Sequence, residues 1–366
     1  MDKLKSLYAK CIIIMFVIGS TVVVGVSTAA RRDAWMSILV ATAYAIPVVL
    51  MYARIMKLFP EMGFYDIMES VAGKVGGKIL IALFTWYAFH LGSLVLRNFI
   101  EFIQMNVLRE TPRIAVMILF MSAISYLVKS GLLTMGKLAV LSLGVFLFVM
   151  VVTVVGSVNQ MDLRYILPVL STDWSIMLED GFNIFSFPFA ETVLFLVAAS
   201  AVRKQDSPYR IYMWSLLFSA AVLIIIVIRN ILILGPAMTV ASYFPSYVAA
   251  RIINIGDFFA RIEGSISINF ILSGIIKISV CLFAAAEGTA KLAGLNSHKR
   301  LVLPISLMMM ALCEIVYSNL MEMFAWLKPY SFYAIPFQII FPALIWVLAE
   351  IKAHKAAKLG AGRAGA

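Results

Sequence analysis

Asn183-Ile184-Phe185-Ser186-Phe187-Pro188-Phe189-Ala190-Glu191 lies inside an apolar run that extends from Met177 to Ala201. Proline within a helix removes a backbone donor and clashes with the carbonyl four residues earlier. A carboxylate three residues further on costs several kcal/mol if it faces lipid. Together they predict a helix broken at membrane depth, with freed backbone groups and Glu191 facing a protein-lined cavity. A cavity of that kind binds something polar.

The rest of the chain supplies the membrane context. Of its 366 residues, 63% are hydrophobic and 13% charged, against roughly 25% charged in soluble domains. Ten apolar stretches reach the length needed to span a bilayer, about 20 residues each. They lie near Cys11 to Thr28, Trp35 to Met56, Ile79 to Val107, Arg113 to Val128, Lys137 to Val158, Ile176 to Ala201, Ile211 to Leu234, Glu263 to Ala286, Leu301 to Met321 and Phe332 to Ile351. The expected fold is all-α, a polytopic membrane bundle of about ten transmembrane helices. Residues 1–352 form one transmembrane domain in the lipid bilayer, and a basic tail, 353–366, is expected to be disordered. The first segment lacks a small-residue cleavage site and runs on into a second span, so it reads as a retained helix.

The net charge of +11 does not point to nucleic acid, because the cations are interleaved along loops rather than gathered on a soluble domain. With the amino terminus inside, inner loops and tails take nineteen cations and outer loops eight. The positive-inside rule then places both termini in the cytosol and favours an even number of spans. Cys11, Cys281 and Cys313 all lie in apolar spans, so no disulfide framework is implied. His90, His298 and His354 are too scattered for a metal site. No nucleophile–base pairing or phosphate-cradling glycine loop appears, so neither an enzyme nor a cofactor is expected.

The first span carries Gly19-Ser20-Thr21-Val22 near its middle. Small residues there permit either unwinding or close helix contact. Spans one and six are equivalent members of two five-span halves, and interrupted segments at corresponding positions point to a transporter-type binding site. Between spans two and three, Phe64, Ile67, Met68 and Val71 recur at helical spacing, which predicts a short amphipathic helix on the cytosolic face, ended near Gly73 and Gly76-Gly77.

Several of these segments together resemble a known family. Phe59-Pro60 with the amphipathic helix and Gly73-Lys74-Val75-Gly76-Gly77-Lys78 is similar to a stretch of the spore germination proteins. Leu167-Pro168-Val169-Leu170, then Pro188-Phe189-Ala190-Glu191, resembles that family's loop and broken sixth helix. Gly256-Asp257-Phe258 with Arg261-Ile262-Glu263 resembles its region before span eight. One departure is Ala190, where the family often has glycine. The chain looks like the B subunit of a nutrient germinant receptor (GerAB type), a branch of the amino acid–polyamine–organocation superfamily. The resemblance implies a LeuT-like inverted five-plus-five repeat with helices 1 and 6 broken. It implies an inner spore membrane or bacterial cell membrane location, and action with a larger A subunit and a C lipoprotein in sensing a small nutrient such as an amino acid. The alternative is a proton-coupled or facilitated amino-acid permease.

The candidate ligand-binding residues are Gly19, Ser20, Thr21, Val22, Phe185, Ser186, Phe187, Pro188 and Glu191, with His90 as a possible contact or a packing residue. Glu191 could cap freed amides or meet a substrate ammonium or a proton. Lys277 lies about 15 Å from the inner end of span eight, too deep for easy snorkelling. Given the resemblance, its ammonium could replace a coupling ion; otherwise it pairs with a carboxylate such as Glu314. Arg97 and Glu101, spaced i, i+4, read as an ion pair. Arg229 is expected to snorkel or to pair with Asp257 or Glu263.

Overall fold

The computed structural model describes residues 3–25, 29–252 and 263–364, and among these the chain forms no β-strand. The first five crossings are α1 (Ser6–Val24), α2 (Ala34–Leu58), α3 (Phe64–Asn106), α4 (Arg113–Ser130) and α5 (Leu132–Gly156). The sixth is composite. α6 (Trp174–Ile184) gives way to a wide π turn over Phe185–Phe189 and then to a tight 3-10 stretch over Ala190–Ala201. α7 (Pro208–Ala241) returns, the short α8 (Pro245–Ile252) follows, and α9 (Glu263–Leu292) and α10 (Val302–Ile315) are the eighth and ninth crossings. After α11 (Leu320–Ala325), the tenth joins α12 (Leu327–Ile335) to α13 (Phe341–Ala364) through a π turn at Pro336–Ile340.

Eight of these helical stretches are long and apolar enough to cross a membrane, and the shorter apolar segments Ser6–Gly19 and Val302–Ile315 complete the set of ten. The two ends of the chain meet the same face. Lys3 lies 3.4 Å from Glu61, the Arg54 guanidinium is paired with Glu350, and Lys352 Nζ donates to the Ser70 carbonyl. We call this the terminal face, and the opposite one the far face. On the far face, buried Asp33 accepts from the Leu170 and Thr172 amides at 2.8 and 3.0 Å, which ties the loop after α5 to the start of α2.

Packing follows from burial. α1 sits among α5, α7 and α9, α2 against α6 and α7, and α3 runs along α9. Cys11 through Ile18 are all buried, as is almost all of the Ala190–Ala201 stretch. Leu119, Phe148 and Trp214 are exposed on the outside, where lipid would cover them. A helix interface inside a bilayer gains nothing from hiding apolar surface, so close approach and interhelical hydrogen bonds carry it.

Four expectations change. The first crossing is a regular helix through Gly19, Ser20, Thr21 and Val22 and ends only at Gly25, whose φ of +80° suits glycine. Its small residues therefore serve close contact, not mid-span unwinding. The amphipathic segment is present but is continuous with the third crossing, the chain turning at Gly73 with φ +75°. The tenth span, read as one helix, is interrupted at Pro336, where proline breaks the ladder. The tail expected to be disordered continues α13 to Ala364, in keeping with its helix-favouring alanines and lysines. Gly256-Asp257-Phe258 and Arg261-Ile262 lie outside the described residues.

Candidate ligand site at the broken sixth crossing

At the break, Phe187 leaves helical geometry (φ −134°, ψ 106°) and Pro188 follows it. An interruption in the apolar interior frees carbonyls that must be satisfied, and specific side chains do this. Gln338 Nε2 donates to the Ser186 carbonyl at 2.8 Å, and the Tyr52 hydroxyl donates to the Ala190 carbonyl at 3.2 Å. Ser186 Oγ in turn donates to Gln338 Oε1 at 3.2 Å. The two irregular crossings, six and ten, thus complete each other's hydrogen bonding.

Below the break lies a fully buried ion pair. Lys277 Nζ from α9 is 2.6 Å from Glu191 Oε2, and both side chains have 0% exposure. The Tyr330 hydroxyl donates to Glu191 Oε1 at 2.7 Å and lies 3.1 Å from the Tyr87 hydroxyl, which accepts from Gln338 Nε2 at 2.9 Å. The ammonium also sits over the rings of Phe16 and Phe187, 4.9 and 4.7 Å from their centroids, a cation–π arrangement. One connected polar network therefore joins five crossings (two, three, six, eight and ten) in the middle of the bundle.

The first crossing approaches this centre closely. A Cβ on Gly19 would lie 3.2 Å from the Ser273 carbonyl oxygen and 3.5 Å from Lys277 Cβ. Ser273 Oγ donates to the Gly19 carbonyl at 3.2 Å. Thr21 and Val22 are buried, and the Thr21 hydroxyl donates to its own helix at Val17.

A vestibule of about 820 Å³ reaches the break from the far face, within the usual range of small-molecule sites. Asn183 and Phe187 form its deep end, with Gly25 from the end of α1, and charges of both signs line the mouth: Arg31, Glu179 and Lys328. Lys328 and Glu179 pair at 2.5 Å. Asn183 Oδ1 accepts from Ser331 Oγ at 2.8 Å, which fixes that wall to the tenth crossing. Towards the terminal face the path is packed with Ile12, Ile13, Phe195 and Val280.

The structure thus brings Ser186, Phe187, Pro188, Glu191 and Lys277 together, with Gly19 beside them and Phe185 packed edge-on to Tyr44. His90 stands apart from the network: it stacks on Trp86 and meets Tyr333 edge-on. Lys277 pairs with Glu191, not with Glu314. Glu314 instead lies 3.5 Å from Arg113, which reaches Glu101 at 3.1 Å, and Glu101 pairs with Arg97 at 2.9 Å as its spacing predicts. Arg229 does not snorkel. It is buried, with Asn230, Thr153 and the Ser246 carbonyl as hydrogen-bond partners, while Asp257 and the Glu263 side chain lie outside the described positions. Sequence reasoning missed Tyr52, Tyr87, Tyr330 and Gln338. Gln338 carried a usable signal, since Pro336-Phe337-Gln338 sets a proline and a polar side chain in an apolar span, as Pro188 and Glu191 do. Among the described residues, no group of three His, Cys, Asp or Glu side chains converges to hold a metal ion.

The profile of the spore germination protein family matches residues 3–323. The chain belongs to that family. Spore germination protein KB of Bacillus subtilis is 25% identical over 354 residues, covering 94% of each chain. Spore germination protein YndE of the same organism is 19% identical over 295 residues, covering 79% of this chain and 81% of the relative. Among solved structures, a crystallised manganese transporter of Eremococcus coleocola superposes with a TM-score of 0.56 at 14% identity, over 95% of this chain and 85% of the transporter. At that identity the likeness concerns the fold alone, and the fold of this spore germination family member is the LeuT-like transporter bundle.

Proposed function

We propose that this integral membrane protein is the B subunit of a nutrient germinant receptor, and that it binds a small zwitterion, an amino acid, at the broken sixth crossing. The observation that carries this reading is the far-face vestibule that ends on Phe187, directly over the Lys277–Glu191 pair. A deep, mixed-charge cavity closed towards the other face is the form of a ligand-receiving state. The ligand would enter from the far face, make contact near Asn183, Ser186 and Phe187, and favour one arrangement of the sixth crossing against the rest. That shift would pass to a larger A subunit and a C lipoprotein. With both termini on one cation-rich face, the positive-inside rule makes the terminal face cytosolic and the far face outer. The first crossing contributes Gly25 to the vestibule, with Gly19 to Val22 behind it, and His90 supports Tyr333 from outside the ligand's reach.

Binding to the purified full-length chain tests the reading. Phe187→Ala and Asn183→Leu should each weaken binding of an amino acid that stabilises the wild type, while Leu119→Ala on the lipid face should not. Equal affinities across the three variants would overturn the vestibule site. A second reading, a proton-coupled or facilitated permease, draws support from the transporter fold. Concentrative amino-acid uptake by proteoliposomes containing the chain alone would favour it over the receptor.

A further inference from the structure

We infer that the Lys277–Glu191 pair is the element that selects the ligand, by exchange: an amino acid's carboxylate takes the place of Glu191 on Lys277, and its ammonium takes the place of Lys277 on Glu191. The inference rests on the vestibule reading above and names the chemistry at its floor.

Three observations support it. The two charges are fully buried and 2.6 Å apart, so each must keep an opposite charge whenever it leaves the other. Each already has a second partner that would hold it in place during the exchange. Tyr330 donates to the other carboxylate oxygen of Glu191 at 2.7 Å, and Lys277 lies over the Phe16 and Phe187 rings at 4.9 and 4.7 Å. Phe187 both lines the vestibule and covers the ammonium, so displacing one ring brings a ligand to the pair.

The chemistry of the occupant follows. A molecule bearing a carboxylate and an ammonium on one carbon replaces a single ion pair with two and leaves no charge unmatched. A molecule bearing only one of them strands the opposite protein charge in the interior. Discrimination should therefore be at least about 100-fold, the scale expected when one partner of a buried charge pair is lost. A hydrophobic pocket wall can discriminate by about 10- to 200-fold per methylene, but it reads side-chain size and cannot tell a carboxylate from an amide. Without ligand, the pair satisfies itself, which accounts for a closed floor beneath an open vestibule.

The test uses the purified full-length chain in lipid nanodiscs, titrated with the twenty proteinogenic amino acids, their amides and their deamino acids. An amino acid that stabilises the wild type should bind at least about 100-fold more tightly than its amide or its deamino acid. In Lys277→Met the preference for the amino acid over its amide should vanish or reverse, because the amino acid's carboxylate is then buried without a partner. In Glu191→Gln the preference for the amino acid over its deamino acid should likewise vanish or reverse, because the ammonium then has no carboxylate to meet. Should either single variant fail to fold, Glu191→Gln/Lys277→Met buries no protein charge and should retain no preference of about 100-fold for the amino acid over its amide or its deamino acid. Undiminished discrimination in these variants, or a wild type that binds the amide as tightly as the amino acid, would overturn the exchange and leave the vestibule site standing. A wild type stabilised by no amino acid would overturn both.

Discussion

Glu191 and Lys277 are 86 positions apart in the chain, and each is an expensive residue at membrane depth for which the sequence offers no visible partner. Their individual positions were legible, because an ionisable group in an apolar span is conspicuous. Their pairing was not, because no local spacing relates the sixth crossing to the eighth, and Glu314 was as good a candidate by composition. The structure resolves this through geometry, with Gly19 and Ser273 bringing the first and eighth crossings together beside the ammonium. Lys277→Met, which leaves Glu191 buried with only Tyr330 beside it, should lower stability by about 3–5 kcal/mol. Glu191→Gln/Lys277→Met should recover most of that loss. Thermal unfolding of the single and double variants checks the pattern, and an additive double variant would contradict it. Gln338 is a second such case. Gln338→Leu strands the Ser186 carbonyl and should cost about 1–3 kcal/mol in the same assay.

At the scale of elements, the sixth crossing was readable as broken, because proline and a carboxylate three residues apart leave few alternatives. What caps it was not readable, since Tyr52 and Gln338 come from distant helices and tyrosine is an ordinary residue in a membrane span. The first crossing shows the opposite failure. Its glycine and hydroxyl residues allowed two readings, and packing against α9 decides for the contact one. The terminal end of the sixth crossing is held by a strap from the amino terminus. The Leu4 amide donates to the Ala201 carbonyl at 2.6 Å, the Arg203 amide to the Leu4 carbonyl at 3.3 Å, and the Ser6 amide to Asp206 Oδ2 at 2.9 Å. These bonds join the one short parallel bridge of the described chain, Leu4 with Val202. Removing residues 1–5 should loosen the packed terminal side and speed thiol labelling of buried Cys11 in a Cys281→Ala/Cys313→Ala background. Unchanged labelling would mean that the strap bears no part of the closure.

For the whole molecule, the count of crossings and the shared face of the termini follow from composition and charge asymmetry, both of which depend on the bilayer rather than on tertiary detail. The short helices between the crossings are harder to read. Segments such as α8 and α11 are too short to span and owe their positions to contacts made elsewhere in the chain. The charge pattern predicts that reporters fused at either terminus face the cytosol in living cells. A terminal reporter exposed on the outer side would invert the membrane orientation and turn the vestibule inwards.

The central claim is that a small zwitterion enters the far-face vestibule and settles at the broken sixth crossing. Thiol labelling of Asn183→Cys tests it most directly, in a background with the three native cysteines replaced, using a membrane-impermeant reagent applied from the outer side. The account predicts ready labelling without ligand and protection by a saturating concentration of any amino acid that stabilises the wild-type chain. Labelling that proceeds at the same rate with that amino acid bound would contradict it.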